Sequence, residues 1–238
     1  MNEKTDVLQR KIRRAIQKVH GQYHKAPWIF MTEADVQCSL YAALLKQTSK
    51  ALKTVARDAG GNRIKDWQYE LLTRSIHAEL SESWRNLTEF VDLCLFCPSK
   101  TTFWIKKSKY DRGEGDVPVW CWDWSRKDSI GIEIKFNRTA SKDSGYSNKT
   151  KRTHVTERWK AFRRSLVRDL RRLKKYKRGW LIFVDQNSLF PSYAKWREFI
   201  DELIREANYG YAKKTLNAYY LCPKREKALS YKSYYNSF

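Results

Sequence analysis

Apolar residues recur at Val7, Leu8, Ile12, Ile16 and Val19, with Lys and Arg between them. Steps of three and four predict an amphipathic helix over Asp6 to His20. The stretch from Gln22 to Phe30 contains a proline and reads as a connection. Thr32 then offers an N-cap hydroxyl, and Glu33 and Asp35 fall in the first turn, where negative charge suits the helix dipole. Val36, Leu40, Ala43, Leu44 and Leu52 mark the apolar face of this second helix, and Gly60-Gly61-Asn62 ends the region as a turn.

Strand patterns follow. Ser75 to Leu80 is a short one, and Phe90 to Phe96 a stronger one, stopped by Cys97-Pro98. Ser129 to Phe136 alternates through Ile132, Ile134 and Phe136. Between the last two, Ser99–Asp128 is rich in Lys, Gly, Asp and Trp, and its alternation predicts an inserted hairpin. Asn137 to Thr153 is polar and reads as a mobile loop. A long helix over Val155 to Tyr176 would bury Trp159, Phe162, Leu166, Leu170 and Leu173. Trp180 to Asp185 is an apolar strand, Ser192 to Ala207 another amphipathic helix, and Leu216 to Leu221 a last strand before Pro223. The order predicts an α/β fold, a central mixed sheet flanked by helices. The expected organisation is an N-terminal helix and connection (1–30), an α/β domain (31–222) with its insertion at 99–128, and a C-terminal tail (223–238).

The composition, 42% hydrophobic and 14% aromatic, supplies a core and argues against pervasive disorder. No run approaches the ~18 apolar residues of a membrane span. The first residues lack a basic start followed by an apolar stretch, so a cytoplasmic, intracellular protein is expected. Cys38, Cys94, Cys97, Cys121 and Cys222 are an odd set. Cys94 and Cys97 form one Cys-x-x-Cys, but no second ligand pair stands at zinc-site spacing, so strand packing is its expected role.

Charge adds a partner. Lys and Arg number 48 against 26 Asp and Glu, a formal net charge of +22. Nucleic acid is the natural polyanion for such a chain, because phosphate contacts supply most non-specific affinity. The cations crowd into 151–178, where Glu157 and Asp169 are the only acids. One face of that helix must pack on the sheet. Arg158, Arg164, Arg168, Arg171, Arg172 and Lys175 are expected on the remaining faces as a phosphate track, or otherwise as a solvated face. Trp120, Trp122 and Trp124 offer base stacking, or an aromatic cluster of their own.

Asp92, Glu133 and Lys135 interrupt strands that are otherwise apolar. Glu133 and Lys135 project from one face, about 7 Å apart along the strand. If the Asp92 strand pairs with theirs, two carboxylates and an ammonium converge. Two carboxylates with a backbone carbonyl and waters suit Mg²⁺ or Mn²⁺, and a neighbouring Lys can orient or deprotonate an attacking water and stabilise charge building on phosphorus. The alternative is an ordinary ion pair on an exposed sheet face.

The order of these elements resembles the restriction-endonuclease-like nucleases, the PD-(D/E)XK superfamily. The resemblance rests on Phe90-Val91-Asp92-Leu93-Cys94-Leu95-Phe96, on Gly131-Ile132-Glu133-Ile134-Lys135-Phe136, on the helix with Asp169-Leu170, and on Gly179-Trp180-Leu181-Ile182-Phe183-Val184. It spans roughly residues 31 to 186. Val91 stands in the place of the family's proline, and the 41-residue step from Asp92 to Glu133 requires an insertion. The resemblance implies a restriction-endonuclease-like core and a metal-dependent endodeoxyribonuclease. It implies Asp92, Glu133 and the Ile134 carbonyl as metal ligands, Lys135 beside the water, and Glu33 as an accessory carboxylate. Glu79, with His77 beside it, is a further candidate from the neighbouring strand. A catalytically inactive nucleic-acid-binding protein of the same fold, acting as a regulator or subunit, is the second reading. An RNA-binding protein of another α/β fold is the third. DNA is the first expected partner, a membrane is not expected, and a homodimer is left open.

Overall fold

The computed structural model describes residues 3–48, 76–80, 91–95, 102–109, 116–123, 129–137, 149–209 and 215–233. Helix α1 (Glu3–Lys25) runs five residues past its predicted end and meets a 3-10 turn, Pro27–Ile29, where proline pre-sets the backbone. Helix α2 (Glu33–Thr48) begins with a reciprocal cap: Asp35 N donates to Thr32 Oγ1 at 3.2 Å and Thr32 N to Asp35 Oδ2 at 2.7 Å. Leu52 and the glycine turn at 60–62 lie outside the described residues.

A six-stranded sheet has the order β1-β2-β5-β6-β7-β8. Its strands are β1 (Ile76–Leu80), β2 (Val91–Leu95), β5 (Ile130–Asn137), β6 (Arg178–Asp185), β7 (Thr215–Leu221) and β8 (Leu229–Ser233). β5, β6 and β7 are parallel, while β1, β2 and β8 pair antiparallel with their neighbours. The sheet is therefore mixed. β8 carries it past residue 222, into the segment read from the sequence as a tail. Within the insertion, β3 (Thr102–Lys109) and β4 (Asp116–Asp123) pair antiparallel as a separate two-stranded sheet.

The parallel strands are joined by α3 (Lys149–Leu173) and α4 (Tyr193–Glu206). α3 starts inside the stretch read as a loop; residues 138–148 lie outside the described set. Both helices lie on one face of the sheet, as two successive crossovers of the same hand require. There Leu166, Leu170, Leu173, Trp196, Ile200 and Leu203 pack on Leu181, Phe183, Ala218 and Tyr220. The opposite face takes Ile12, Ile16 and Val19 of α1 with Val36, Leu40 and Leu44 of α2, against Ile132, Ile134, Trp180 and Ile182. Cover on both sides explains why β6 is buried almost end to end and reads as an unbroken apolar run.

Two glycines bring α3 close to the sheet. Gly131 and Gly179 sit at paired positions of β5 and β6. A Cβ on Gly131 would stand 2.8 Å from the Tyr176 ring, and one on Gly179 would stand 3.0 Å from Leu173 Cβ. The end of α3 settles onto that gap, which lowers its inward polar residues toward β5.

Candidate active site

The β2–β5 register pairs Leu93 with Ile132 and Cys94 with Gly131. One step further sets Asp92 opposite Glu133. Opposed residues share a face, so two carboxylates stand side by side where the paired strands end. Asp92 Oδ2 also accepts a hydrogen bond from the Ile134 amide, and Gln37 Nε2 of α2 donates to the Asp92 carbonyl at 2.8 Å. This corner of the sheet is held from both sides.

Lys135 is two residues along β5 from Glu133. Its Nζ lies 3.1 Å from Glu33 Oε1 and 3.3 Å from Asp169 Oδ2. Glu33, at the start of α2, also accepts from the Phe136 amide at 3.3 Å. Glu33 thus touches Lys135 directly, and its place in the first turn is not only a dipole contact. The four residues singled out from the sequence, Glu33, Asp92, Glu133 and Lys135, come together from three elements.

Two more residues complete the cluster from α3. Arg172 Nε lies 3.0 Å from Glu133 Oε1, and its Nη2 reaches Asp169 Oδ1. Glu133 and Asp169 are fully buried, and Arg172 is about one-fifth exposed. Complete burial of Glu133 removes the reading of a solvated pair on an open sheet face. Arg172 was expected on the phosphate track; it instead turns inward as the counter-cation of two carboxylates. The signal for Asp169 was present in the sequence. It lies three residues after Leu166 and four before Leu173, on the inward face, and is one of two acids in a basic helix.

Burial acts on every group here. It raises the Glu133 carboxyl well above the ordinary range; Asp92 and Asp169 add to the rise, and Arg172 and Lys135 oppose it. Asp92 is raised from 3.8 to about 6, by burial first and by Glu33 and Asp169 as like charges, against the Ile134 hydrogen bond and Lys135. Burial alone would lower Lys135, but Asp169 and Glu33 together outweigh it and raise it. Lys135 is therefore an ammonium at neutral pH.

A stability prediction follows for protein kept in EDTA. Below about pH 4 Asp92 is protonated folded or unfolded, and carries no penalty. Between pH 4 and 6 the native state keeps a proton that the unfolded chain releases, so stability falls as pH rises. Above pH 6 the penalty is complete, about 3 kcal/mol. Asp92→Asn keeps an acceptor for the Ile134 amide and loses the charge. Urea melts should find it more stable than wild type at pH 7.5 by up to about 3 kcal/mol, with the gap closing toward pH 4. A gap that does not change with pH would show that Asp92 is not strained.

Among the described residues no group of three or more His, Cys, Asp or Glu forms a ready-made metal cluster. The donors that do meet are nonetheless of the right kind. Asp92 and Glu133 supply hard oxygens, Mg²⁺ retains several waters, and Glu133 Oε1 and Asp169 Oδ2 are buried acceptors that make ion-pair contacts but no hydrogen bond. The β1–β2 register sets Glu79 opposite Asp92, between the pairs Ala78–Leu93 and Leu80–Val91. The side chains of Glu79 and His77 lie outside the described residues, as do those of Arg158 and of the tryptophans in β4.

The outer face of α3 keeps its cations. Lys160, Arg164, Arg168 and Arg171 are exposed at steps of four, four and three, a single stripe, and Lys175 is exposed in the turn that follows the helix. Arg163 is spent on Glu202 and Glu206 of α4, at 3.0 and 3.1 Å. Cys94 is buried in the sheet, in keeping with a packing role, and Cys97 lies outside the described residues. Among the described residues no helix is long and apolar enough to cross a membrane. Compared with known protein families, with curated proteins and with solved structures, the chain matches none.

Proposed function

We propose that the chain is a metal-dependent nuclease with a restriction-endonuclease-like core, hydrolysing phosphodiester bonds in DNA. The observation that carries this reading is the convergence of Glu33, Asp92, Glu133 and Lys135 from α2, β2 and β5. Asp92, Glu133 and the Ile134 carbonyl are the groups that would hold Mg²⁺ or Mn²⁺. The ion would neutralise phosphate charge and acidify a bound water.

The chain's own groups divide the remaining work. Lys135 is charged, so it does not take a proton from water at neutral pH. It orients the water and meets negative charge as it builds on the phosphoryl oxygens. Glu33 and Asp169 hold its ammonium between them. Water adds to phosphorus and gives up a proton to solvent or to a phosphate oxygen, while the bond to the leaving sugar oxygen breaks and that oxygen takes up a proton from solvent as the alcohol. Arg172 holds Glu133 and Asp169 within the cluster.

The exposed stripe on α3 supplies the phosphate track. Charge reversal at Arg164, Arg168 and Arg171 together should weaken DNA binding and flatten its salt dependence by about three counterions' worth of slope. Anisotropy titrations over a salt series measure both. An unchanged slope would move the binding surface elsewhere.

The test of activity is cleavage of plasmid, linear and single-stranded DNA, and of RNA, with Mg²⁺, Mn²⁺ or EDTA. Cleavage that requires metal and disappears in EDTA supports the enzyme. The second reading, a catalytically inactive nucleic-acid-binding protein, is favoured by one observation: the Glu133 carboxylate is engaged by Arg172. Wild-type protein that binds DNA but cleaves no substrate with any metal would select it.

A further inference from the structure

An exposed tryptophan stands in the turn that meets the connection after β6. In the turn before α2, Phe30 is buried against Tyr23, with ring centroids 5.5 Å apart, while Trp28 is 74% exposed and Met31 63%. Ile29 between them is also exposed. The turn is fixed at both ends. Ile29 N donates to Ala26 O at 3.1 Å, and Met31 N donates to Asp35 Oδ2 at 2.8 Å, inside the α2 cap. Gln186 Nε2 donates to the Phe30 carbonyl at 3.3 Å, which ties the turn to the connection after β6.

That connection is locked in turn to the one after β7. Arg225 Nη2 donates to Phe190 O at 3.4 Å, and His24 Nδ1, at the end of α1, donates to Pro223 O at 2.7 Å and ties that helix to the second connection. Lys25, Lys224 and Lys227 are exposed on these segments, with Glu226 the one acid among residues 223–227. Exposed apolar surface on a fixed backbone, with exposed lysines on the segments tied to it, is the composition of a site that stacks bases while holding phosphates. Glu33 follows Trp28 by five residues and touches Lys135, so the platform is tethered to the catalytic corner.

We infer that Trp28 is a stacking platform for an unpaired nucleobase, so that the site takes single-stranded DNA or a frayed strand end beside the scissile phosphate. This rests on the nucleic-acid reading and narrows its substrate class. A blunt duplex keeps its bases stacked on one another and offers the indole no face. A single strand or an overhang does.

The experiment is anisotropy binding of labelled single-stranded, blunt duplex and overhang DNA in EDTA, with wild type, Trp28→Ala and Trp28→Phe. Trp28 lies on the surface, so both variants should melt as wild type does. Trp28→Ala should lose about ten-fold in affinity for single-stranded and overhang DNA, with little change for the blunt duplex. Its salt slope should be unchanged, since stacking releases no counterions, and Trp28→Phe should recover most of the loss. Equal affinity of Trp28→Ala for all three DNAs relative to wild type, or an equal loss on all three, overturns the inference and leaves the nuclease reading standing. Wild type that binds no nucleic acid overturns both.

Discussion

Glu133→Gln is expected to lose metal-dependent hydrolysis by about three orders of magnitude or more, about 4 kcal/mol in barrier, while keeping its DNA affinity. The substitution removes one carboxylate from a pair that stands side by side across β2 and β5. Gln has nearly the same shape, and burial already raises the Glu133 carboxyl well above its ordinary range, so the fold should accept a neutral side chain there. Lys135→Ala should lose about 10²- to 10³-fold, the scale for removing one preorganised group from developing charge. It should leave Mg²⁺ binding intact, as read by calorimetry. Both variants keep the cationic stripe of α3. Undiminished cleavage by Glu133→Gln would remove this cluster from the reaction.

The second large effect is on stability and does not depend on the reaction. Arg172→Met should destabilise the protein by about 3 kcal/mol near pH 8, because Glu133 and Asp169 are both fully buried and Arg172 is their shared partner. The figure sits at the low end for a broken buried pair, since the guanidinium is partly exposed. In a chain of this size that is a fall in Tm of about 6–12 °C. The pH dependence has a definite sign. Without Arg172 the Glu133 carboxyl rises further, so the native state takes up a proton at a pH where the unfolded chain has none. The variant's stability then falls as pH rises, and the deficit should shrink toward pH 5. Glu133→Gln in the Arg172→Met background should return about 1–2 kcal/mol by removing the orphaned charge. Purely additive effects would show that the two side chains do not interact in solution.

Much of the architecture was legible because period and burial coincide. β6 is covered by helices on both sides, so its apolar run could only be a central strand. The inward face of α3 could be counted in steps of three and four. Asp92, Glu133 and Lys135 were conspicuous because ionisable residues in apolar strands carry a desolvation cost that a sequence rarely tolerates without use. Boundaries were less legible. α3 begins earlier than its polar start suggested, and β8 pairs with β7 from a segment so short that the alternation of Leu229 and Tyr231 with Ser230 and Lys232 does not stand out.

The residues missed or misplaced share one cause. Arg172 has the same side chain and nearly the same neighbours in sequence as Arg171, yet Arg171 is exposed and Arg172 reaches into the carboxylates. A helix turns 100° per residue, so one step separates a phosphate contact from a buried ion pair. Which step faces inward depends on how α3 sits over Gly131 and Gly179, a packing relation between segments some forty residues apart. Gln37 is likewise an ordinary glutamine until α2 is laid beside β2. The kinds of element, their order, the excess of positive charge and the three charged residues that break the strand pattern could be read from the amino acids alone, because these follow from local period and side-chain chemistry. That Glu33 meets Lys135, that Arg172 belongs inside and that Trp28 stays out emerged with the packing, because each depends on the register and approach of elements distant in the chain.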